Sequence, residues 1–511
     1  MKETRRDFIK KSGGCALGMV SLATQMHHLG NMSAMAQKVI DEQPAGGENY
    51  KALVCLFFSG GNDGNNMVIP NHSDPSISNY AAYAAARDTQ GLALAQGSML
   101  PISVPRLRDG QNNPLTYGLH PSLGPAATGA INPGIHELYG MGKLAVVTNV
   151  GTLVRPLTKA QYLSSLFKKP YQLFSHSDQV TQAQTANSNT QAFTGWGGRI
   201  SDNLTQPFNP NGLIPMVTSI AGAQLFTAGQ TTLPLAIADS NTLLANVLAP
   251  AGFGTPPAGS NLARLNAFNA LRLQDLSSNF VREASHVTDL AMQANAALQV
   301  SQEVTVTFPN TSIGRQLKQI ARLIKKRLDL NTNRQIFYCQ IGGFDTHSGE
   351  LPGHISLYSQ FSQAMRSFYD EMAVQGVSND VTTFTLSDFN RTLNPAGSGA
   401  AVGTDHAWGN HMLVMGGGVL GGDFYGSKRP DGTGNYYPTL LMGNNAGALD
   451  DGDNSATGRG RWIPTTGVEQ YTLRLARWFG LQAADEIEVF PNLANFTAHD
   501  AANFNSLAFM P

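Results

Sequence analysis

Four times along this 511-residue chain a continuous apolar run breaks off into a polar turn, and that recurring shape constrains the fold more than any other feature. Lys51-Ala52-Leu53-Val54-Cys55-Leu56-Phe57-Phe58 opens into Ser59-Gly60-Gly61-Asn62-Asp63-Gly64-Asn65-Asn66. The run at 144–150 has the same form. So does 335–341, followed by Gly342-Gly343-Phe344-Asp345-Thr346-His347, and 381–386, followed by Ser387-Asp388-Phe389-Asn390-Arg391-Thr392. Runs this short, apolar without alternation, predict strands buried on both faces. Between them Ile313, Leu317, Ile320, Ala321, Ile324 and Leu328 recur at helical spacing, with Arg315, Lys318, Arg322, Lys325 and Lys326 around the other side. That pattern predicts an amphipathic helix lying on a sheet. A second helix is expected at 358–372, which completes a strand–helix–strand rhythm.

The predicted fold is therefore α/β, a mostly parallel sheet flanked by helices. Ligands of such sheets bind outside the C-terminal strand ends, so Asp63, Asp345 and Asp388 are expected on one rim. Residues of roughly 200–310, Ala- and Leu-rich beyond a Gly/Pro-rich stretch at 249–259, read as an inserted helical region. A last helix is expected to end at Gly480.

Charge excludes some partners. Lys plus Arg total 34 against 35 Asp plus Glu, so no global field favours nucleic acid or an anionic membrane surface. At the N-terminus, Thr4-Arg5-Arg6-Asp7-Phe8-Ile9-Lys10 precedes a modest apolar stretch, and Ala34-Met35-Ala36 offers small residues for cleavage. This reads as a twin-arginine export signal over 1–36, followed by a polar linker at 37–50 and one α/β domain at 51–511. The implied partner is the twin-arginine export machinery, and the implied location periplasmic or secreted. The apolar stretch is shorter than the roughly 20 residues of a membrane span, and none is expected in the mature chain. That route carries folded proteins, which favours a cofactor loaded beforehand. Cys15 would leave with the signal. Cys55 and Cys339 sit in strand-like runs as buried small hydrophobes, bridged only if their strands are neighbours.

Two Gly-rich loops pair acids with histidines: Asp345-Thr346-His347 and Gly403-Thr404-Asp405-His406-Ala407-Trp408-Gly409-Asn410-His411. Mixed carboxylate and imidazole donors suit Zn²⁺ or Mn²⁺. Acids concentrated at one rim with these loops call for one or two divalent ions.

Arg5-Arg6-Asp7-Phe8, Phe58-Ser59-Gly60-Gly61-Asn62-Asp63-Gly64-Asn65-Asn66, Gly342-Gly343-Phe344-Asp345-Thr346-His347 and Gly403-Thr404-Asp405-His406 together resemble, in order and wording, the exported family catalogued as domain of unknown function 1501. The likeness spans nearly the whole chain. Where that family commonly has Ser-Glu-Phe-Gly-Arg-Thr, this chain has Ser387-Asp388-Phe389-Asn390-Arg391-Thr392, which keeps a carboxylate of shorter reach. The family in turn looks like a distant relative of alkaline phosphatases, sulfatases and cofactor-independent phosphoglycerate mutases. The resemblance implies an alkaline-phosphatase-like core with divalent metals and a hydroxyl nucleophile. It marks Asp63 as a first-strand metal acid, Asp345 and His347 as the next ligand group, and Asp405 with His406 as an Asp-His pair. A second register stays open, in which Asp388 is the strand-end ligand and the later loop supplies another histidine, His406 or His411. Ser175, in Phe174-Ser175-His176, is the candidate nucleophile, and Arg391 a clamp for a phosphate or sulfate oxyanion.

The sequence thus points to an exported metal-dependent hydrolase acting on a small anionic ester. A non-catalytic periplasmic binding or assembly protein that retains the fold is the alternative.

Overall fold

The computed structural model describes residues 49–75, 78–249, 253, 257–299, 303–496 and 507–511. The expected export signal with Cys15 and its cleavage motif lies outside the described residues, as do 37–48 of the linker and part of the 249–259 stretch. In chain order the strands are β1 (Lys51–Ser59), β2 (Val68–Pro70), β3 (Leu100–Arg108), β4 (Pro114–Leu119), β5 (Leu144–Gly151), β6 (Val217–Ser219), β7 (Leu235–Ala236), β8 (Arg334–Gly342), β9 (Val381–Ser387), β10 (Asn410–Gly416), β11 (Phe424–Tyr425) and β12 (Thr466–Gly467). The helices used below are α1 (Tyr80–Arg87), α2 (His176–Thr185), α3 (Trp196–Phe208), α4 (Gly259–Arg272), α5 (Asn279–Gln299), α6 (Ser312–Lys325), α7 (Glu350–Val374) and α8 (Val468–Phe479).

The four apolar runs are β1, β5, β8 and β9, and they lie in one nine-stranded sheet of order β11-β5-β10-β9-β1-β8-β6-β7, with β12 also on β5. Side chains of β1 alternate between two cores. Ala52, Val54, Leu56 and Phe58 pack with Ile313, Leu317 and Ile320 of α6 and Phe361, Met365 and Phe368 of α7. Leu53, Cys55 and Phe57 pack with Trp196 and Ile200 of α3 and with Tyr471, Leu475 and Phe479 of α8. Because both faces are covered, the strands need no polar alternation, which explains their continuous apolar runs. α6 is capped by Thr311, whose side chain accepts from Gly314 N, and its apolar stripe carries Ile320, fully buried. An Ile320→Ala cavity there would cost about 2–5 kcal/mol. α8 ends at Gly480, whose φ of +126° suits glycine.

The sheet corrects one expectation: it is mixed rather than mostly parallel. β1 runs parallel to β8 and β9, but β10 runs antiparallel to both β9 and β5. The cause is the connection. A parallel neighbour needs a crossover, usually helical, whereas residues 388–409 return the chain through a loop with a single 3-10 turn. A separate antiparallel sheet, β2-β4-β3, also went unforeseen. Part of the 200–310 region belongs to the main sheet, since β6 pairs with β8. Further along, the same region forms the helices α4 and α5. Cys55 and Cys339 lie on neighbouring strands as free, buried thiols. Among the described residues no helix is long and apolar enough to cross a membrane.

Candidate metal centre

The adjacent parallel strands β8, β1 and β9 end in register, with Ser59 opposite Gly342 and Phe58 opposite Ser387, so their following loops converge on one rim. Two glycines allow the loops to touch. A Cβ on Gly60 (φ +115°) would lie 2.4 Å from the backbone N of Asp345, and one on Gly403 would lie 2.3 Å from the carbonyl carbon of His347.

Three imidazoles meet there around one carboxylate. His176 Nε2 lies 3.0 Å from His406 Nε2, and His347 Nε2 lies 3.1 Å from the same atom. Asp345 Oδ1 stands 3.5, 3.1 and 3.6 Å from the Nε2 atoms of His176, His347 and His406. Each ring is anchored through its other nitrogen to an oxygen: His176 Nδ1 to Asp388 Oδ2 at 2.8 Å, His347 Nδ1 to Asp405 Oδ1 at 3.2 Å, His406 Nδ1 to the Phe174 carbonyl at 2.8 Å. A carbonyl or carboxylate oxygen accepts, so each Nδ1 carries the proton and each Nε2 presents a lone pair. Lone pairs and a carboxylate gathered in this way repel unless a cation stands among them. Around a tetrahedral ion with ligands about 2.0–2.1 Å away, neighbouring ligand atoms lie roughly 3.3–3.4 Å apart. The spacings among His176, Asp345 and His406, the three whose ligand atoms all lie within 4.8 Å of one another, bracket that value, and His347 borders the group through Asp345 and His406. The oxygen partners on the far nitrogens are also what imidazole ligands of metals require. The donor set therefore suits a divalent transition ion such as Zn²⁺ or Mn²⁺.

The surroundings set the electrostatics. Arg391 is fully buried and donates from Nη1 to Asp345 Oδ1 at 3.0 Å, from Nε to Thr404 Oγ1 at 3.2 Å, and from Nη2 to the Thr404 carbonyl. Partial burial raises the Asp345 carboxyl, but Arg391, with His176 and His347, draws it below the usual range. The hydrogen bond to Asp388 holds His176 above the ordinary histidine value, whereas desolvation lowers His406. Phe389 packs under His176 and His406 with ring centroids 4.7 Å away in both cases. Phe174 adopts a left-handed φ of +69°, uncommon for an aromatic residue, while its carbonyl receives His406. One side is open: Asp345 and His347 side chains are each 48 % exposed.

The predicted site residues divide into three groups. Asp345 and His406 enter the centre, and His347 borders it against both. Asp388 and Asp405 stand one layer out, orienting His176 and His347, and Asp405 is also paired with Arg459. Asp63 and His411 lie elsewhere. Asp63 is fully buried, caps the one-turn helix Gly64–Met67, and takes Arg87 on both oxygens at 2.5 and 3.1 Å. His411 is buried, accepts from Asn149 N at 3.3 Å, and stacks on Tyr437 at 4.8 Å. The Ser175 hydroxyl donates to Asp178 Oδ2 at 2.6 Å and contacts Ser177 Oγ at 3.2 Å. Its hydrogen-bond partners include neither Asp345 nor Asp388. The residue that sequence reasoning missed is its neighbour His176, first in α2; the Ser-His motif held the signal, read on the wrong member. A cavity of about 350 Å³ opens elsewhere, between Ile220, Gln316 and Gly342. Its carboxylate, Asp239, is paired with Arg315 at 2.9 Å, so it offers less chemistry than the imidazole centre.

No curated protein matches the chain. Among solved structures it is similar to the PsFucS1 sulfatase from Pseudoalteromonas sp., at 10% identity over 78% of this chain and 68% of that one, with a TM-score of 0.25. It is also similar to Ps i-CgsB in complex with k-i-k-neocarrahexaose, at 7% identity over 74% of this chain and 69% of that one, with a TM-score of 0.26. Residues 50–439 match the model of the family described as protein of unknown function (DUF1501), and this match, spanning more than half of the sequence, makes the chain a member of the DUF1501 family.

Proposed function

We propose that this protein is an exported metal-dependent hydrolase of phosphate or sulfate esters, with an alkaline-phosphatase-like core and a divalent ion held by His176, Asp345 and His406, with His347 beside them. One observation carries the reading: three imidazoles, each anchored at Nδ1, turn their Nε2 atoms toward a single carboxylate oxygen. The ion would supply Lewis acidity toward an ester oxygen and lower the pKa of bound water toward neutrality. The chain's own groups do the rest. Asp388, Asp405 and the Phe174 carbonyl fix the imidazole tautomers. Arg391 sets the charge and direction of Asp345; fully buried and committed to Asp345 and Thr404, its guanidinium acts through that carboxylate rather than as the expected clamp on an anion. The twin-arginine motif supports export to the periplasm or beyond.

Ser175 remains the candidate hydroxyl nucleophile by position, next to His176, with Asp178 as the acceptor for its proton. Its commitment to Asp178 favours the second reading, a binding or assembly protein that keeps the ion without the reaction. The deciding experiment loads purified protein with Zn²⁺ or Mn²⁺ and assays aryl sulfate and aryl phosphate hydrolysis. Turnover lost in His406→Ala supports the hydrolase. Metal-loaded protein that turns over neither ester supports the binding reading.

A further inference from the structure

Behind the rim lies a second gathering of the same residue types, this time sealed from solvent. Asp63, Glu350 and His354 are each fully buried, and each brings a ligand atom within 4.8 Å of the others. Glu350 and His354 stand one turn apart at the start of α7, and Asp63 follows β1. Arg87, the last residue of α1, neutralises Asp63 and is itself held by the carbonyls of Thr392 and Leu393. Glu350 Oε2 is taken by the hydroxyls of Thr346, at 3.0 Å, and Thr404.

Other polar atoms of the cluster lack a donor or acceptor of their own. Both ring nitrogens of His354 are buried and make no hydrogen bond, and His354 Nδ1 is 4.0 Å from the Glu350 carboxylate, too far for one; buried Glu350 Oε1 has no donor, and the Glu350 carboxyl meets the Asp63 carboxyl, a contact that needs a shared proton or a cation. Nearby, His120 Nδ1 accepts from Ser122 N at 3.1 Å, so its Nε2 carries a proton that is likewise unmatched. The rings of Phe344 and Tyr358 close over His354, at 6.1 and 5.2 Å between centroids.

Such atoms are costly to bury, and so is the Glu350 charge that Arg87 leaves over. A proton on Glu350 would cancel the charge but leave His354 unmatched. A water molecule would satisfy hydrogen bonds but leave the charge. A divalent cation would balance the two carboxylates and give His354 a partner at once, leaving the Arg87 charge to the Thr392 and Leu393 carbonyls that hold it: the carboxylates would bind the ion through oxygen and His354 through a ring nitrogen, a donor set suited to Zn²⁺ or Mn²⁺. We infer that Asp63, Glu350 and His354 form a second, buried metal site, distinct from the imidazole centre and joined to it through Glu350, Thr404, Arg391 and Asp345. With no ligand exposed, this ion enters during folding and exchanges only on unfolding, as a structural ion does.

The test combines chelation with elemental mass spectrometry on the full chain. After EDTA treatment of folded wild-type protein, one equivalent of divalent metal per chain is expected to remain, and to be released to a chromophoric chelator only in guanidinium chloride. The same equivalent persists in His176→Ala/His406→Ala, which removes two ligands of the exposed centre, and is lost in Glu350→Gln/His354→Asn. Folded wild type or His176→Ala/His406→Ala protein left metal-free by EDTA overturns the inference, even if Glu350→Gln/His354→Asn fails to fold. A single chelator-resistant equivalent, with none at the exposed centre, upholds this inference while contradicting the proposed hydrolase centre, so the two readings fail separately.

Discussion

The imidazole centre and the buried cluster behind it use the same side chains, yet burial makes them different chemical objects. At the rim every histidine spends Nδ1 on an oxygen and turns Nε2 outward, and the ligands keep between 24 and 48 % of their side-chain exposure. In the interior, His354 spends neither nitrogen, and desolvation lowers it to about 4. Carboxyls divide likewise. Burial raises Asp63, but Arg87 overcomes it and brings the group below the usual range, whereas burial and the Asp63 charge hold Glu350 well above it. The difference teaches where each part of the molecule is vulnerable: the rim through orientation of ligands, the interior through uncompensated charge.

The contrast yields graded predictions. The largest effect should follow Arg87→Met in protein refolded without metal, which strands Asp63 as a buried charge; a loss of about 3–5 kcal/mol is expected in denaturant melts. A loss under about 1 kcal/mol would mean that Asp63 has another counter-charge. Next comes Asp388→Asn. Its amide would face His176 Nδ1 with a donor, push the ring proton to Nε2, and weaken metal binding about 10–100-fold in a competition titration without unfolding the chain. Unchanged affinity would show that His176 is not a ligand.

A smaller effect tests burial without a counter-charge. Glu469 is fully buried, one oxygen accepts from Asn492 Nδ2 at 3.0 Å, and desolvation raises its carboxyl to about 8. A group whose folded value is raised stabilises the fold fully below its unfolded value, about 4.3, and loses that contribution as pH rises through its folded one. Wild-type stability should therefore fall between about pH 5 and 8, and Glu469→Gln should flatten that slope, its Tm advantage growing to a few degrees by pH 8. A constant Tm difference across that range would contradict the assignment. The smallest change is expected for Arg459→Met, because the Asp405–Arg459 pair is about one-third exposed on both sides. Its removal should cost less than about 1 kcal/mol in the same melts that report Arg87→Met.

Much of the scaffold was legible. β1, β8 and β9 announce themselves because strands covered on both faces must be apolar throughout, and α6 because its stripe repeats at helical spacing. The direction of β10 was not, since its strand-like composition says nothing of whether residues 388–409 would cross the sheet or double back. The site was legible in kind and less so in placement. Asp345, Asp388 and His406 follow from strand ends and loop chemistry. Asp63 shares their rim by sequence logic, but its cap on Gly64–Met67 and its pairing with Arg87, 24 residues away, depend on tertiary packing. His176 escaped for a similar reason. Beside a serine, a lone histidine reads as a surface residue until Asp388, 212 positions later, receives its Nδ1.

The most direct measurement is the metal content of three purified proteins, the wild type, His176→Ala and Ser175→Ala, by elemental mass spectrometry with folding checked by circular dichroism. The wild type and Ser175→Ala should carry the same divalent metal, and His176→Ala one equivalent less. Equal content in all three, or a folded wild type without metal after loading, would contradict the centre.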